Sequence, residues 1–269
     1  MIDRHPLIFP RLFDARGRRI LEISVYVENV PGVMARIAQR LAEKGVNILS
    51  GVHHECPEAE DAEKGWWCFF VECDGSISAE RLQEMLGELQ GVIEVLVSEA
   101  NVGRLAVDRH HSLQFIGVDR VIQFRVSWIA GIFREIYRRW GDDGRRMVYL
   151  EGFYGGRRSY HVWRERLGMD GRELFEVALE LWPLLGWAER AQLHELDTET
   201  GEATVRIWGS FEAVERDVRP TCHFMLGAVT GFLSEMAKKP LYGMETKCQA
   251  RGDEYCEFAV RKKPFAFPE

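Results

Sequence analysis

The period of the hydrophobic positions changes along the chain. Leu21, Ile23, Val25 and Val27 alternate with Glu22, Ser24, Tyr26 and Glu28, the two-residue period of a half-buried strand. Asn29-Val30-Pro31-Gly32 breaks the extension, and Val33, Met34, Ile37, Ala38, Leu41 and Ala42 then recur at helical spacing as far as Gly45. Asn47 to Cys56 predicts a second strand, and an acidic loop over Pro57–Lys64 leads to a third from Gly65 to Cys73. Leu82, Met85, Leu86 and Leu89 mark a second helix, and Val92 to Ser98 the last strand. Residues 20–99 therefore read as a ferredoxin-like βαββαβ domain. Its third strand is apolar on both faces, with Trp67, Phe69 and Val71 on one and Trp66, Cys68 and Phe70 on the other. Helices cover only one face of such a sheet, so the other is expected to meet the second domain or another subunit, most simply in a homodimer.

Residues 1–19 read as an N-terminal extension and 100–119 as a linker with no Gly/Ser-rich stretch. From Val121 the period turns helical and runs to Gly141-Asp142-Asp143-Gly144. A second helical stretch, about Arg146 to Leu167, contains Gly152, Gly155 and Gly156. Such glycines weaken a helix and suggest a bend or a close backbone approach. Asp170–Leu185 predicts a third helix despite Pro183. Gly186–Leu196 and Glu202–Ser210 read as hairpin strands. A helix from Cys222 carries Met225, Leu226, Val229, Phe232, Leu233 and Met236 on one stripe, flanked by Gly227, Ala228 and Gly231. Strands over Leu241–Ala250 and Tyr255–Arg261 complete an antiparallel sheet, so residues 120–263 form a helices-plus-sheet domain and the fold class is α+β.

Composition narrows the function classes. A formal charge of −7 gives no electrostatic footprint for nucleic acid, and no uncharged apolar run is long enough to span a membrane. The N-terminus has no secretory pattern, and a cytoplasmic location is expected. There the six cysteines stay reduced, and clustering among them points to metal. Cys222, Cys248 and Cys256 fall in the last third of the chain, with Glu245 three positions before Cys248. Glu245 and Cys248 in one extended segment, Cys256 at the start of the next, and an Arg251-Gly252-Asp253 turn between them would bring three ligands together. Three thiolates and a carboxylate suit tetrahedral zinc with no place left for water, a structural site. The alternative is three buried cysteines acting as small apolar side chains. His53, His54, Glu55 and Cys56 read as a polar strand end, because neighbours in a strand point to opposite faces; His110-His111 reads likewise as polar surface.

Two resemblances add to these readings. The segment from about Pro220 to Val260, with its G-x-x-x-G helix, E-x-x-C strand and G-D-E-x-C turn, resembles the vinyl-4-reductase-type ligand-binding domain, which includes sensory domains of phenol-responsive transcription activators. The resemblance implies zinc on Cys222, Glu245, Cys248 and Cys256, and a small, largely hydrophobic ligand held between helices and sheet. The sequence V-Y-V-E-N-V-P-G-V-M-A-R-I-A-Q-R-L-A-E-K-G-V-N-I resembles the start of an ACT domain. That implies an amino-acid-type effector site at Asn29, Pro31, Gly32 and Val33, although family members often carry Asp where Asn29 stands. A helix N-terminus suits a carboxylate there.

Together these describe a small-molecule-sensing regulatory protein that signals to a protein partner. The chain has no nucleotide-binding fingerprint and no recognisable nucleophile with its base, so no catalytic residue is named. The alternatives are a reductase, or a subunit of one, acting on a vinyl-bearing tetrapyrrole or aromatic compound, and a ligand-free structural adaptor.

Overall fold

A computed structural model describes residues 12–55, 63–111, 113–115 and 119–263. The chain divides after Ile122 into two compact units.

In the first unit, a short strand β1 (Leu12–Asp14) precedes β2 (Arg19–Glu28), α1 (Val33–Ala42), β3 (Asn47–Glu55), β4 (Lys64–Cys73), α2 (Ala79–Gly87) and β5 (Val92–Glu99). The four long strands form an antiparallel sheet in the order β3-β4-β2-β5, as the βαββαβ pattern requires. Ser78 caps α2, its side chain accepting the Arg81 N–H. One core lies between helices and sheet: Ile23, Val25, Phe69 and Val71 pack against Ile37, Leu41, Leu82 and Leu86. Cys56 and most of the acidic loop fall outside the described residues.

The other face of the sheet departs from expectation. The segment expected to be a linker forms β6 (Asn101–Val102) and β7 (Leu105–Val107), and β7 pairs with β1 from the N-terminal extension through Leu12↔Val107 to Asp14↔Leu105. This ribbon encloses a second core of Ala15, Ile20, Phe70, Ala100 and Ala106. Burial of Phe70 is thus met within the unit, and neither a second domain nor another subunit is required for it. Tyr26 and Trp66, stacked with ring centroids 5.0 Å apart, lie at the other end of this face. Two short strands, β8 (Gln114–Phe115) and β9 (Asp119–Arg120), follow; Val121, where helix is expected to start, donates its N–H to the Leu113 carbonyl, and helix begins only at Val126.

The second unit opens with α3 (Val126–Leu167), followed by α4 (Gly171–Leu184), β10 (Arg190–Leu196), β11 (Ala203–Trp208), α5 (His223–Ala237), β12 (Tyr242–Lys247) and β13 (Cys256–Arg261). The sheet order is β10-β11-β13-β12, all antiparallel. The protein is α+β. The break expected over Gly141–Gly144 is confined to Gly141, whose φ of 55° and ψ of −127° kink α3 while helix continues on both sides. Pro183 sits in the last turn of α4, where it interrupts little. No helix of the described residues is long and apolar enough to cross a membrane.

Gly152 and Gly156 do not bend α3; they let it touch α5. A Cβ at Gly152 or Gly156 would overlap the carbonyls of Phe224 or Ala228, and one at Gly227 or Gly231 would overlap those of Tyr149 or Phe153. The two backbones therefore meet along a seam of reciprocal glycines. α5 is buried at every residue from Met225 to Ser234, more than the single stripe read from its sequence. Its buried hydroxyls are satisfied locally, Thr230 donating to Leu226 O and Ser234 to Thr230 O, both at 2.7 Å.

The seam gives a paired test. Gly231→Ala must push two backbones apart and is expected to cost about 3 kcal/mol, the upper part of the overpacking range. Gly155, between the two seam glycines of α3, has nothing within 4 Å of an added Cβ. Gly155→Ala is therefore expected to be neutral or stabilising by up to about 1 kcal/mol. Denaturant unfolding of the two variants checks both signs.

Candidate metal centre

The loops at the start of α5 and the edge of the second sheet bring four ligand-bearing residues together. Cys222 is the residue before α5, Glu245 lies in β12, Cys248 follows β12, and Cys256 opens β13. One ligand atom from each lies within 4.8 Å of all the others, and all four residues are buried. Strict strand alternation would put Glu245 and Cys248 on opposite faces. A bulge between Glu245 and Lys247, where pairing shifts from Phe258 to Glu257, supplies the extra residue that turns both inward. The turn forms as expected: a 3-10 turn over Gln249–Arg251 ends at Gly252, whose φ is 106°, and the Asp253 carboxylate accepts the Cys248 N–H at 2.8 Å.

The hydrogen bonds leave one acceptor open. Cys222 Sγ lies 3.5 Å from Cys256 Sγ and 3.3 Å from Ser210 Oγ, and Thr221 Oγ1 lies 3.6 Å from Cys248 Sγ. Gln249 donates its N–H to Cys256 Sγ at 3.3 Å. Glu245 Oε2 accepts the Cys222 N–H at 3.0 Å, whereas Oε1 is buried with no hydrogen-bond partner. A buried, unsatisfied carboxylate oxygen beside three sulfurs is costly unless a cation completes it. Burial, reinforced by charge on Cys248, pushes the Glu245 carboxyl well above the usual carboxylate range. Burial likewise raises the Cys222 thiol, while hydrogen bonds from Cys222 and Cys256 hold Cys248 well below the usual thiol range. Without a cation the cluster thus resists carrying four negative charges, and a divalent metal would favour deprotonation of the whole set.

Glu212 is a neighbour that the sequence does not reveal. It accepts the N–H groups of Phe224 at 3.0 Å and Met225 at 2.9 Å, two of the donors that the first turn of α5 leaves unpaired. Burial pushes its carboxyl up to about 8. Its distance in sequence from α5 hides the cap, which a local capping pattern would have revealed.

At the ACT-like turn, Gly32 precedes α1 with a φ of 91°, Val33 is buried, and Pro31 and Gly32 are exposed. Asn29 donates its side-chain N–H to Glu55 at 2.9 Å, so it does not point freely into the turn. A side chain at Gly32 would come within 3.2 Å of Arg36 Nη1, which places a guanidinium beside the turn that the motif alone does not reveal. His53 and His54 join no metal-ligating group among the described residues, but His111 does, with Glu22 and Asp108.

The V4R domain family matches residues 204–262 and the ACT domain family residues 21–55. The phenol-responsive sensory domain of the transcription activator PoxR, solved with phenol, is similar in fold over 55% of this chain and 79% of that chain, with a TM-score of 0.50 and 19% identity. A vinyl-4-reductase family protein from Methanocaldococcus jannaschii matches 54% of this chain and 85% of that chain, with a TM-score of 0.38 and 15% identity. An uncharacterized protein of Methanocaldococcus jannaschii is 45% identical over 40 residues, which are 15% of this chain and 23% of that protein. The chain thus spans about a quarter of the length of that curated relative.

Proposed function

We propose that this chain, which carries an N-terminal ACT domain and a C-terminal V4R domain, is a small-molecule-sensing regulatory protein whose second unit is held by one zinc ion. The observation that carries the zinc reading is the unpartnered, buried Glu245 Oε1 among Cys222, Cys248 and Cys256. Soft thiolates select zinc over hard cations, and four protein ligands leave no position for water, so the ion is structural. It ties the start of α5 to β12 and β13. Elemental analysis of protein prepared without chelator is expected to give zinc at this cluster. Cys248→Ser should release it and lower the melting temperature of the second unit, because metal binding adds directly to folding free energy. A Cys248→Ser chain with unchanged zinc content would refute the assignment.

The sensing part of the proposal rests on the aromatic interior of the second unit. Phe232 packs against Tyr160, Trp163 and Phe175, and Phe224 against Phe133, Trp187 and Phe211. An apolar ligand would enter among these rings and signal to a protein partner through its differential affinity for two states of the chain. The cavity beside Phe133, Tyr137 and Glu212 holds about 20 Å³, room for one water, so a ligand entering there must displace rings. That small volume is also the observation favouring the second reading, a ligand-free adaptor. At 100 times its Kd, a phenol-like ligand is expected to stabilise the chain by about 2.7 kcal/mol, read as a rise in melting temperature. No shift across a panel of small aromatic compounds would favour the adaptor.

In the ACT domain, an amino-acid-type effector would set its carboxylate at Asn29, Pro31, Gly32 and Val33, supported by the helix start and by Arg36 beside Gly32. We also propose a homodimer through the sheet face around the stacked Tyr26 and Trp66, where Val52 and Leu96, in the next row beside Cys68 and Ser24, are 49% and 39% exposed. Sedimentation at micromolar concentration is expected to give a dimer, and a monomer would remove this part of the proposal.

A further inference from the structure

The first unit contains a second group of side chains that could hold a metal ion, on the face of its sheet opposite α1 and α2. Glu22 points there from β2, its side chain only 2% exposed, while Asp108 and His111 follow β7 with side chains 9% and 18% exposed. Glu22 Oε2 accepts the Arg109 N–H at 2.7 Å. Glu22 Oε1 lies 3.5 Å from His111 Nδ1 and 3.6 Å from His110 Nδ1. Asp108 Oδ1 lies 3.2 Å from His111 Nδ1 and accepts the N–H groups of His110 and His111 at 3.1 and 3.0 Å.

We infer that Glu22, Asp108 and His111 together bind a divalent first-row transition-metal ion. One ligand atom from each already lies within 4.8 Å of the others. The separations of 3.2 and 3.5 Å from His111 Nδ1 are close to the ~3.3 Å between ligands held 2.0–2.1 Å from a tetrahedral ion. Two carboxylates and an imidazole suit zinc, iron or manganese better than calcium or copper(I). Charge points the same way, since a divalent ion balances the buried Glu22 carboxylate and the largely covered Asp108 carboxylate beside a neutral imidazole.

The surroundings complete such a site. Metal-bound imidazoles hold their tautomer through the other ring nitrogen. His111 Nε2 lies 2.9 Å from Cys68 Sγ and 3.3 Å from Ser24 Oγ, which gives its N–H an acceptor and leaves Nδ1 for the metal. His110 is the neighbour and not a ligand: its Nδ1 lies 2.8 Å from Ser24 Oγ and its Nε2 2.9 Å from Ser98 Oγ. With three protein ligands, this site keeps a position for water or a ligand oxygen, unlike the Cys3Glu cluster.

Zinc(II) is the probe, counted by native mass spectrometry on the full chain after dialysis. Glu22→Gln and Asp108→Asn are each expected to bind one zinc fewer than the unsubstituted chain, and Cys68→Ala to weaken that ion about 10-fold or more. Cobalt(II) separates the two sites, because sulfur-to-cobalt charge-transfer absorption reports thiolate ligands and should be unchanged in both carboxylate variants. Asp108→Asn keeps an oxygen to accept the His110 and His111 N–H groups, so it carries the comparison if Glu22→Gln fails to fold. Without any variant, the His111 Nδ1 resonance in histidine nitrogen-15 spectra is expected to move when zinc is added to the metal-free chain. Equal zinc counts in folded variants, or a stationary His111 resonance, would overturn the proposal and leave an ion-paired histidine only.

Discussion

Two helices can share a seam at backbone contact only where no Cβ intervenes, and the second unit depends on that constraint. Gly152 and Gly156 on α3 face Gly227 and Gly231 on α5, so each helix supplies the gap that the other's carbonyls fill. Close approach buries α5 on every side from Met225 to Ser234. A helix enclosed in this way needs its polar ends satisfied inside the protein, because water does not reach them.

Buried carboxylates meet that need at the N-terminus. Glu212 takes the N–H groups of Phe224 and Met225, and Glu245 takes that of Cys222. Both suit the positive end of the helix dipole, which offsets part of the cost of burying them. Glu245 differs in having a second oxygen with no partner, facing the three thiols. The same carboxylate therefore belongs to the helix start and to the candidate metal-ligand set, which couples the position of α5 to the edge strand β12 and its neighbour β13.

Local periodicity makes most of the elements legible, because alternation in β2 and the helical spacing in α1, α2 and α5 are set by side chains on the element itself. The Cys3Glu set is legible from spacing and resemblance. Its geometry is not: the bulge between Glu245 and Lys247 depends on pairing with β13, which alternation within β12 cannot reveal. The fold-back of β6 and β7 onto β1 is hidden for the same reason, since a three-residue strand carries too little pattern to register. In the sequence His111 has the character of polar surface, and only this fold-back sets it beside Glu22, 89 positions earlier in the chain. Gly141 carries the signal of a helix end, whereas its positive φ only kinks one, because helical residues resume immediately after it.

These constraints also limit where the second unit can make room for a ligand. Along the glycine seam α3 and α5 already touch through backbone, so separating them would lose close packing over their whole contact. At its start, α5 is held by the hydrogen bonds from Phe224 and Met225 to Glu212 and from Cys222 to Glu245 of β12. What remains is the ring cluster around Phe232, where Tyr160 and Trp163 of α3 and Phe175 of α4 pack against it. Phe175 belongs to α4, a helix that rests mainly on β10 and is joined to α3 through Gly168 and Gly171, both at positive φ. Displacing α4 would part Phe175 from Phe232 while leaving the glycine seam and the candidate ligand set in place, at the cost of exposing apolar side chains such as Leu174 and Trp182.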